Sequence, residues 1–278
     1  MNTPHVYLNG RIVPLAEAAI SPLDIGLLRG YAVFDLLRTV RGRPFLLPEH
    51  LRRLHTSATH LGLSVPATDD EIATVIDELL RLNGHAEATV RLVLTGGVSP
   101  DGMAFDPTTP TFLILIHELH ELPASVHEVG GALLTECHTR ELPRAKTTNY
   151  LTMLAARPRL AEAGALDLLY HDGKRVFEAA SASVYFVRGT AILAPSAEDV
   201  LWGTVGSLVL ELAGDVYIVE QRDVSLAEAL TADEVFLTST TRGVVPIVRL
   251  DETVVGDGTP GPVTRALMAL WNEALARG

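Results

Sequence analysis

From residue 130 onward the chain falls into short apolar runs, at residues 131–139, 166–170, 183–187, 191–193, 216–219, 234–237 and 244–250, each followed within a few positions by Gly, Pro, Asp or Ser. Runs of this length suit strands, and their frequency points to a β-barrel-like lobe. Helical spacing interrupts them at residues 149–163, 205–213 and 262–276.

The first part of the chain is built differently. His5-Val-Tyr-Leu-Asn-Gly-Arg-Ile-Val13 alternates around Asn9-Gly10, a pair suited to the positive φ angles of a type I′ hairpin turn. Residues 31–40 read as a strand. Residues 49–61 set Leu51, Leu54, Ala58 and Leu61 at helical spacing behind Pro48, and residues 69–82 do the same with Ile72, Val75, Ile76, Leu79 and Leu80 before Asn83-Gly84. Strands follow at 88–94 and 111–119. Hairpin, strands and helices without regular βαβ spacing imply an α+β fold of two lobes. A small α/β N-terminal domain is expected over residues 1–119. A linker around Pro123 spans 120–125, and a larger β-barrel-like C-terminal domain with helices covers 126–278.

Composition bounds the function. With 278 residues, 47% of them apolar, and a mean hydropathy of +0.25, the chain buries large cores. Its formal net charge is −12 and no five basic residues cluster, so neither nucleic acid nor an anionic membrane is an expected partner. No apolar stretch approaches a membrane span, and the N-terminus has neither the basic start nor the apolar run of a signal peptide, so a cytoplasmic location is expected. The single cysteine, Cys137, excludes an intrachain disulfide or a thiolate metal site and is expected as a buried strand thiol. His50, His55, His117, His120 and His127 form no HExxH or Asp/His ligand pattern, so no metal site is expected and a metal hydrolase lacks support.

Lysine usage is more informative. Of 22 basic residues only Lys146 and Lys174 are lysine; the other 20 are arginine. Lys174 lies in His171-Asp-Gly-Lys174, a turn sequence whose ammonium normally faces water. Lys146, in Arg144-Ala-Lys-Thr-Thr-Asn-Tyr-Leu151, joins a strand-like region to an amphipathic helix with no acidic residue three or four positions on. Arginine cannot take lysine's place where a neutral amine must attack a carbonyl, because guanidinium stays protonated.

Arg53-Leu54, Lys146-Thr-Thr-Asn149, Glu178 and Thr238-Ser-Thr-Thr241 resemble, in order and spacing, the class IV aminotransferases, the fold-type IV enzymes that use pyridoxal 5′-phosphate (PLP). The similarity runs from about Tyr7 to Arg277. It implies that Lys146 is the Schiff-base partner and proton shuttle, and that Glu178 faces the pyridine nitrogen. It implies further that Arg53, the turn carrying Thr204 and Val205, and the hydroxyls of Thr240 and Thr241 hold the phosphate, while Leu201 packs on the ring. Where relatives have Gly-Ile-Thr-Arg this chain has Gly203-Thr-Val-Gly206, and Ser183 stands where many carry asparagine. The resemblance also implies a homodimer whose pockets are completed across the interface, acting on an amino acid and a 2-oxo acid.

Within that family, Lys146-x-x-Asn149 resembles D-amino-acid transaminases and aminodeoxychorismate lyases, since branched-chain enzymes have one more residue before Asn-Tyr. Asp35 and Leu36 replace the usual threonine pair of the lyases. Asp101-Gly-Met103 stands where well-known D-amino-acid enzymes place Arg-x-His as a carboxylate trap, so another cation must serve. Arg29, Arg91 and Arg242 are candidates; Arg91 is singled out because its strand reads as buried, and a buried guanidinium needs an anion. Tyr150 is a further candidate for substrate or cofactor contact. A D-amino-acid transaminase is therefore expected, with a branched-chain L-amino-acid enzyme and, behind it, an aminodeoxychorismate lyase as alternatives. A non-enzymatic two-lobed binding module explains the cores and the arginines but not Lys146 set against Glu178 and Arg53; a colourless protein that PLP does not reconstitute is what it requires.

Overall fold

A computed structural model describes residues 4–278. Two compact units emerge. The first comprises the residues up to His120 together with Ala145–Asn149, and the second comprises Glu121–Arg144 and Tyr150–Arg277. Sheet and helix are mixed in both, as α+β requires.

The first unit holds β1 (His5–Leu8), β2 (Arg11–Pro14), α1 (Ile25–Arg29), β3 (Ala32–Val40), β4 (Arg43–Pro44), α2 (Leu47–His60), α3 (Asp69–Asn83), β5 (Ala88–Thr95) and β6 (Thr111–Glu118). Its strands form one sheet in the order β2-β1-β6-β5-β3-β4. Asn9 and Gly10 take φ values of 47° and 87°, the turn that lets β1 and β2 pair. α3 starts in a capping box between Thr68 and Glu71 and stops at Gly84 with φ 68°, so its length is set by local chemistry. Leu51, Leu54, Ile72, Ile76 and Leu79 of the helices pack with Val33, Leu37, Val90, Leu92, Leu94 and Ile114 of the sheet into one core. Each such side chain contributes about 1.5–3 kcal/mol of transfer free energy. α1 was not expected from the sequence, being too short for a periodic signal; Asp24 caps it and Gly30 closes it.

The second unit holds α4 (Ala124–Val129), β7 (Gly131–Cys137), α5 (Leu151–Ala155), α6 (Arg157–Ala163), β8 (Asp167–His171), β9 (Arg175–Ala179), β10 (Ser183–Arg188) and β11 (Ala191–Ala194). It continues with α7 (Thr204–Ala213), β12 (Ile218–Gln221), β13 (Val224–Ser225), α8 (Leu226–Leu230), β14 (Glu234–Ser239), β15 (Gly243–Leu250), β16 (Thr253–Val254) and α9 (Pro262–Arg277). One sheet runs β12-β11-β10-β14-β15-β7-β8-β9-β13, with β16 on β15. Its core is built on Leu133, Leu169, Val184, Phe186, Val235, Leu237, Val245 and Ile247.

Two expectations need correction. The helix read over 149–163 is two pieces, α5 and α6, because Pro158 has no N–H to continue the ladder and stands instead in the first turn of α6. Cys137 is exposed, since it ends β7 where the strand leaves the core. Among the described residues no helix is long and apolar enough to cross a membrane, and no group of three or more His, Cys, Asp or Glu is placed to hold a metal ion.

Candidate active site

In the first unit, the segment carrying Lys146 is held as an extra extended stretch beside the start of β3. Its backbone N–H donates to Ser57 Oγ at 3.0 Å, its carbonyl accepts the Phe34 N–H at 2.9 Å, and the Thr148 N–H donates to the Ala32 carbonyl at 3.1 Å. Its neighbour Ala145 is buried in the core. The backbone is thus fixed on both sides, and the Lys146 Nζ lies 4.7 Å from the centre of the Phe34 ring.

Ser57 is one helical turn beyond Arg53, so the face of α2 that holds the lysine backbone also carries that arginine. Arg53 is buried and meets Asp35 of β3 with Nε at 2.8 Å and Nη2 at 2.9 Å. His50, one turn earlier, donates from Nδ1 to Asp35 at 2.7 Å. Burial alone pushes the Asp35 carboxyl up, but the adjoining Arg53 guanidinium and its hydrogen bonds, with His50, hold it well below the usual carboxylate range. Burial pushes His50 down, so the ring stays neutral.

Arg91 does not sit where its strand suggested. Ala88, Val90, Leu92 and Leu94 face the core, and strand alternation puts Arg91 on the opposite, half-buried face of β5, paired across from Leu36 and Leu115. Its guanidinium carbon lies 5.2 Å from the centre of the same Phe34 ring that neighbours Lys146. Arg29 is exposed in the last turn of α1, its Nη2 close above Gly102 in the 99–104 loop. Asp101 of that loop accepts the N–H groups of Met103 and Ala104, which fold the loop and keep its carboxylate ionised.

In the second unit, Glu178 lies in β9 and is 6% exposed. Its Oε1 accepts from Arg140 Nε at 2.5 Å, and its Oε2 accepts the Leu201 N–H at 3.4 Å. Tyr150 precedes α5 and takes the Arg140 guanidinium against its ring at 5.4 Å. Thr204 and Val205 are buried in the first turn of α7, and no side chain caps that helix. A Cβ added to Gly203 would meet Ser183 Oγ at 2.4 Å, and one added to Gly206 would meet Tyr185 Oη at 2.1 Å. Glycine at these positions therefore reflects close packing of the α7 turn against β10. Thr240 and Thr241 form the half-buried β14–β15 turn.

Arg242 is committed elsewhere. Its Nη2 donates to the buried Asp167 at 3.0 Å and to Ser181 Oγ at 2.9 Å, and its Nε donates to Ser239 Oγ at 3.0 Å. These contacts tie the β14–β15 turn to β8 and remove Arg242 as a substrate trap. Lys174 is exposed in the β8–β9 turn. Sequence reasoning missed Asp35, His50 and Arg140 as site residues. An acid inside the apolar Val33-Phe-Asp-Leu-Leu37 run was the available signal for the first; Arg140 offers none.

The chain is similar over nearly its whole length to known aminotransferases. The family model described as amino-transferase class IV matches residues 32–250. A Methanocaldococcus jannaschii protein assigned as a branched-chain-amino-acid aminotransferase is 33% identical over 275 residues, 94% of this chain and 93% of its own. The D-alanine aminotransferase of Listeria innocua is 28% identical over 278 residues, covering 98% and 96%. Among solved structures, the T.th. branched-chain amino acid aminotransferase with pyridoxamine 5′-phosphate superposes with a TM-score of 0.87 at 28% identity, covering 98% of this chain and 94% of that one.

Proposed function

The chain belongs to the class IV aminotransferases, PLP-dependent enzymes that move an amino group between an amino acid and a 2-oxo acid, and from that premise we propose that it is a D-amino-acid transaminase whose substrate carboxylate is held by Arg91, with Arg29 as a second cation. The observation that carries this reading is the shared ring of Phe34, beside which stand both the Lys146 amine and the Arg91 guanidinium. An amine and a cation beside one ring suit a substrate that presents its α-amino and α-carboxylate groups together. The Lys146-x-x-Asn149 spacing supports the D-specific branch.

The donors present fit PLP. An uncapped helix start packed so closely that added Cβ atoms would strike Ser183 and Tyr185 offers backbone N–H groups to a phosphate. When bound, the cofactor supplies a carbonyl for amine attachment and a ring that accepts electron density as the substrate Cα–H bond ionises. Lys146 would be the residue that holds it through its side-chain amine, and that amine would carry the proton to and from the substrate Cα. Glu178 would face the ring nitrogen and favour its protonated form. Arg53, the α7 turn at Thr204 and Val205, and the hydroxyls of Thr240 and Thr241 would bind the phosphate, and Leu201 would pack on the ring. Asp35 engages two of the five N–H donors of Arg53 and so orients the guanidinium. A homodimer is part of this proposal, supported by the exposed apolar side chains of Ile20, Leu23, Leu27, Val98 and Met103.

A branched-chain L-amino-acid enzyme is the second reading, favoured by likeness to the two proteins so named. The two are separated by following the visible cofactor absorbance during additions of D-alanine, D-glutamate and L-leucine, with Lys146→Ala as control. Loss of the band with a D-amino acid is expected, and its absence in Lys146→Ala. Bleaching by L-leucine alone overturns the D-specific proposal.

A further inference from the structure

Arg140 is an arginine of the second unit that the family motifs leave unassigned and that is held from several sides. Its Nε donates to Glu178 Oε1 at 2.5 Å and its Nη2 to the Ala180 carbonyl at 2.7 Å. The guanidinium carbon lies 5.4 Å from the ring centre of Tyr150 and 5.4 Å from that of Tyr170. Tyr170 is in turn packed edge-on against His138, with centroids 4.6 Å apart. Two directional hydrogen bonds and two aromatic faces leave the guanidinium, itself 16% exposed, little freedom.

The neighbouring charges bear on how Arg140 acts on Glu178. A cleft of about 130 Å³ is lined by both residues of the pair and by His138, Asp172, Arg175 and Asp199. Arg175 is engaged by three carboxylates, Asp172, Asp199 and Asp223, so its charge is already balanced. His138 is pushed down by partial burial and by Arg140, and so is neutral near pH 7. Tyr170 is pushed up to about 12, chiefly by burial, and stays a neutral phenol.

We propose that Arg140 is a positioning residue for the transamination site: by binding Oε1 of Glu178 it keeps that carboxylate ionised and turns Oε2 toward the cofactor's ring nitrogen. The proposal rests on the assignment of Glu178 to that nitrogen. A 6%-exposed carboxylate without its guanidinium is driven toward the neutral acid. As a neutral acid it no longer favours a protonated ring, and the electron sink weakens.

The test compares Arg140→Gln, Arg140→Lys and Glu178→Gln holoenzymes by three measurements: PLP affinity, the pH titration of cofactor absorbance, and thermal unfolding of the PLP-stripped protein. Arg140→Gln is expected to weaken PLP binding about 10-fold or more and to move the acidic limb of the absorbance titration upward, while PLP-stripped unfolding changes little. Arg140→Lys, which restores charge but not the fork, is expected to recover part of both. Unchanged PLP affinity and titration in Arg140→Gln, with Glu178→Gln impaired, overturns the role of Arg140 alone. An effect confined to unfolding makes Arg140 a structural tie and also overturns it. A Glu178→Gln enzyme indistinguishable from the parent removes the assignment of Glu178 and the proposal with it. If Arg140→Gln does not fold, Arg140→Lys decides by the same readouts, a displaced titration supporting the role and an unmoved one refuting it.

Discussion

Asp35 of β3 and Arg53 of α2 are joined by two parallel hydrogen bonds, Nε to Oδ2 at 2.8 Å and Nη2 to Oδ1 at 2.9 Å, and both residues are buried. The fork makes the helix and the strand a single rigid mount for the arginine. His50 adds a third hydrogen bond to the same carboxylate, and the Leu36 N–H adds a fourth at 2.7 Å.

Asp35→Asn leaves the Arg53 guanidinium buried without its counter-charge, which destabilises by about 3–5 kcal/mol. The sign with pH follows from the lowered Asp35 carboxyl: its contribution is present above the ordinary value of 3.8 and is lost as pH falls below that value toward the folded-state one. Denaturant unfolding at several pH values checks this. The gap between parent and variant is expected to be constant from pH 7 to 5 and to narrow below pH 4; a gap that widens toward acid contradicts it.

Ser57 accepts the backbone N–H of Lys146 and is wholly buried. Ser57→Ala leaves that N–H without its acceptor, at about 1–3 kcal/mol, and lets the lysine backbone drift. A drop in kcat of about 10-fold with KM for the amino acid little changed is the expected kinetic signature, measured under saturating PLP.

Arg91→Gln keeps the strand, because the side chain lies on the half-buried face away from the core. Losing a charge-assisted hydrogen bond of about 1.5–3 kcal/mol raises KM for the amino acid about 10- to 100-fold. PLP absorbance and affinity are expected to be unchanged. Equal losses in PLP affinity would show that Arg91 serves the cofactor and not the carboxylate.

Gly206→Ala puts a Cβ 2.1 Å from Tyr185 Oη and 3.0 Å from Thr238 Oγ1. Tyr185 is stacked on Phe236 with ring centres 4.9 Å apart, so it yields poorly. Overpacking of this kind destabilises by about 1–3 kcal/mol, and displacement of the α7 turn is expected to weaken PLP binding. Tyr185→Phe in the same chain removes the nearest clashing atom and is expected to restore part of both; thermal unfolding and PLP titration of the single and double variants decide.

Periodicity made most elements legible. α2, α3 and α9 carry apolar spacing over 14 to 16 residues, and their ends are written in local chemistry such as Pro48, the Thr68/Glu71 box and Gly84. The five-residue α1 and the six-residue α4 are too short to show a period, and the break between α5 and α6 depends on one proline. Arg91 shows the limit of pattern: a charge in an alternating strand was visible, but which face it took followed from register against β3 and β6.

The amino-acid sequence alone carried the two-part α+β organisation through local periodicity, the aminotransferase family through the motifs at Arg53, Lys146, Glu178 and Thr238–Thr241 that resemble it, and the prominence of Lys146 through chemistry arginine cannot perform. Tertiary structure decided the rest. Whether a guanidinium is a trap, a clamp or a tie depends on which carboxylate it meets, and those partners lie far apart in the chain: Asp35 and Arg53 are 18 residues apart, Arg140 and Glu178 are 38, and Asp167 and Arg242 are 75. Arginines of equal propensity and charge differ only once folding sets their burial and their partners.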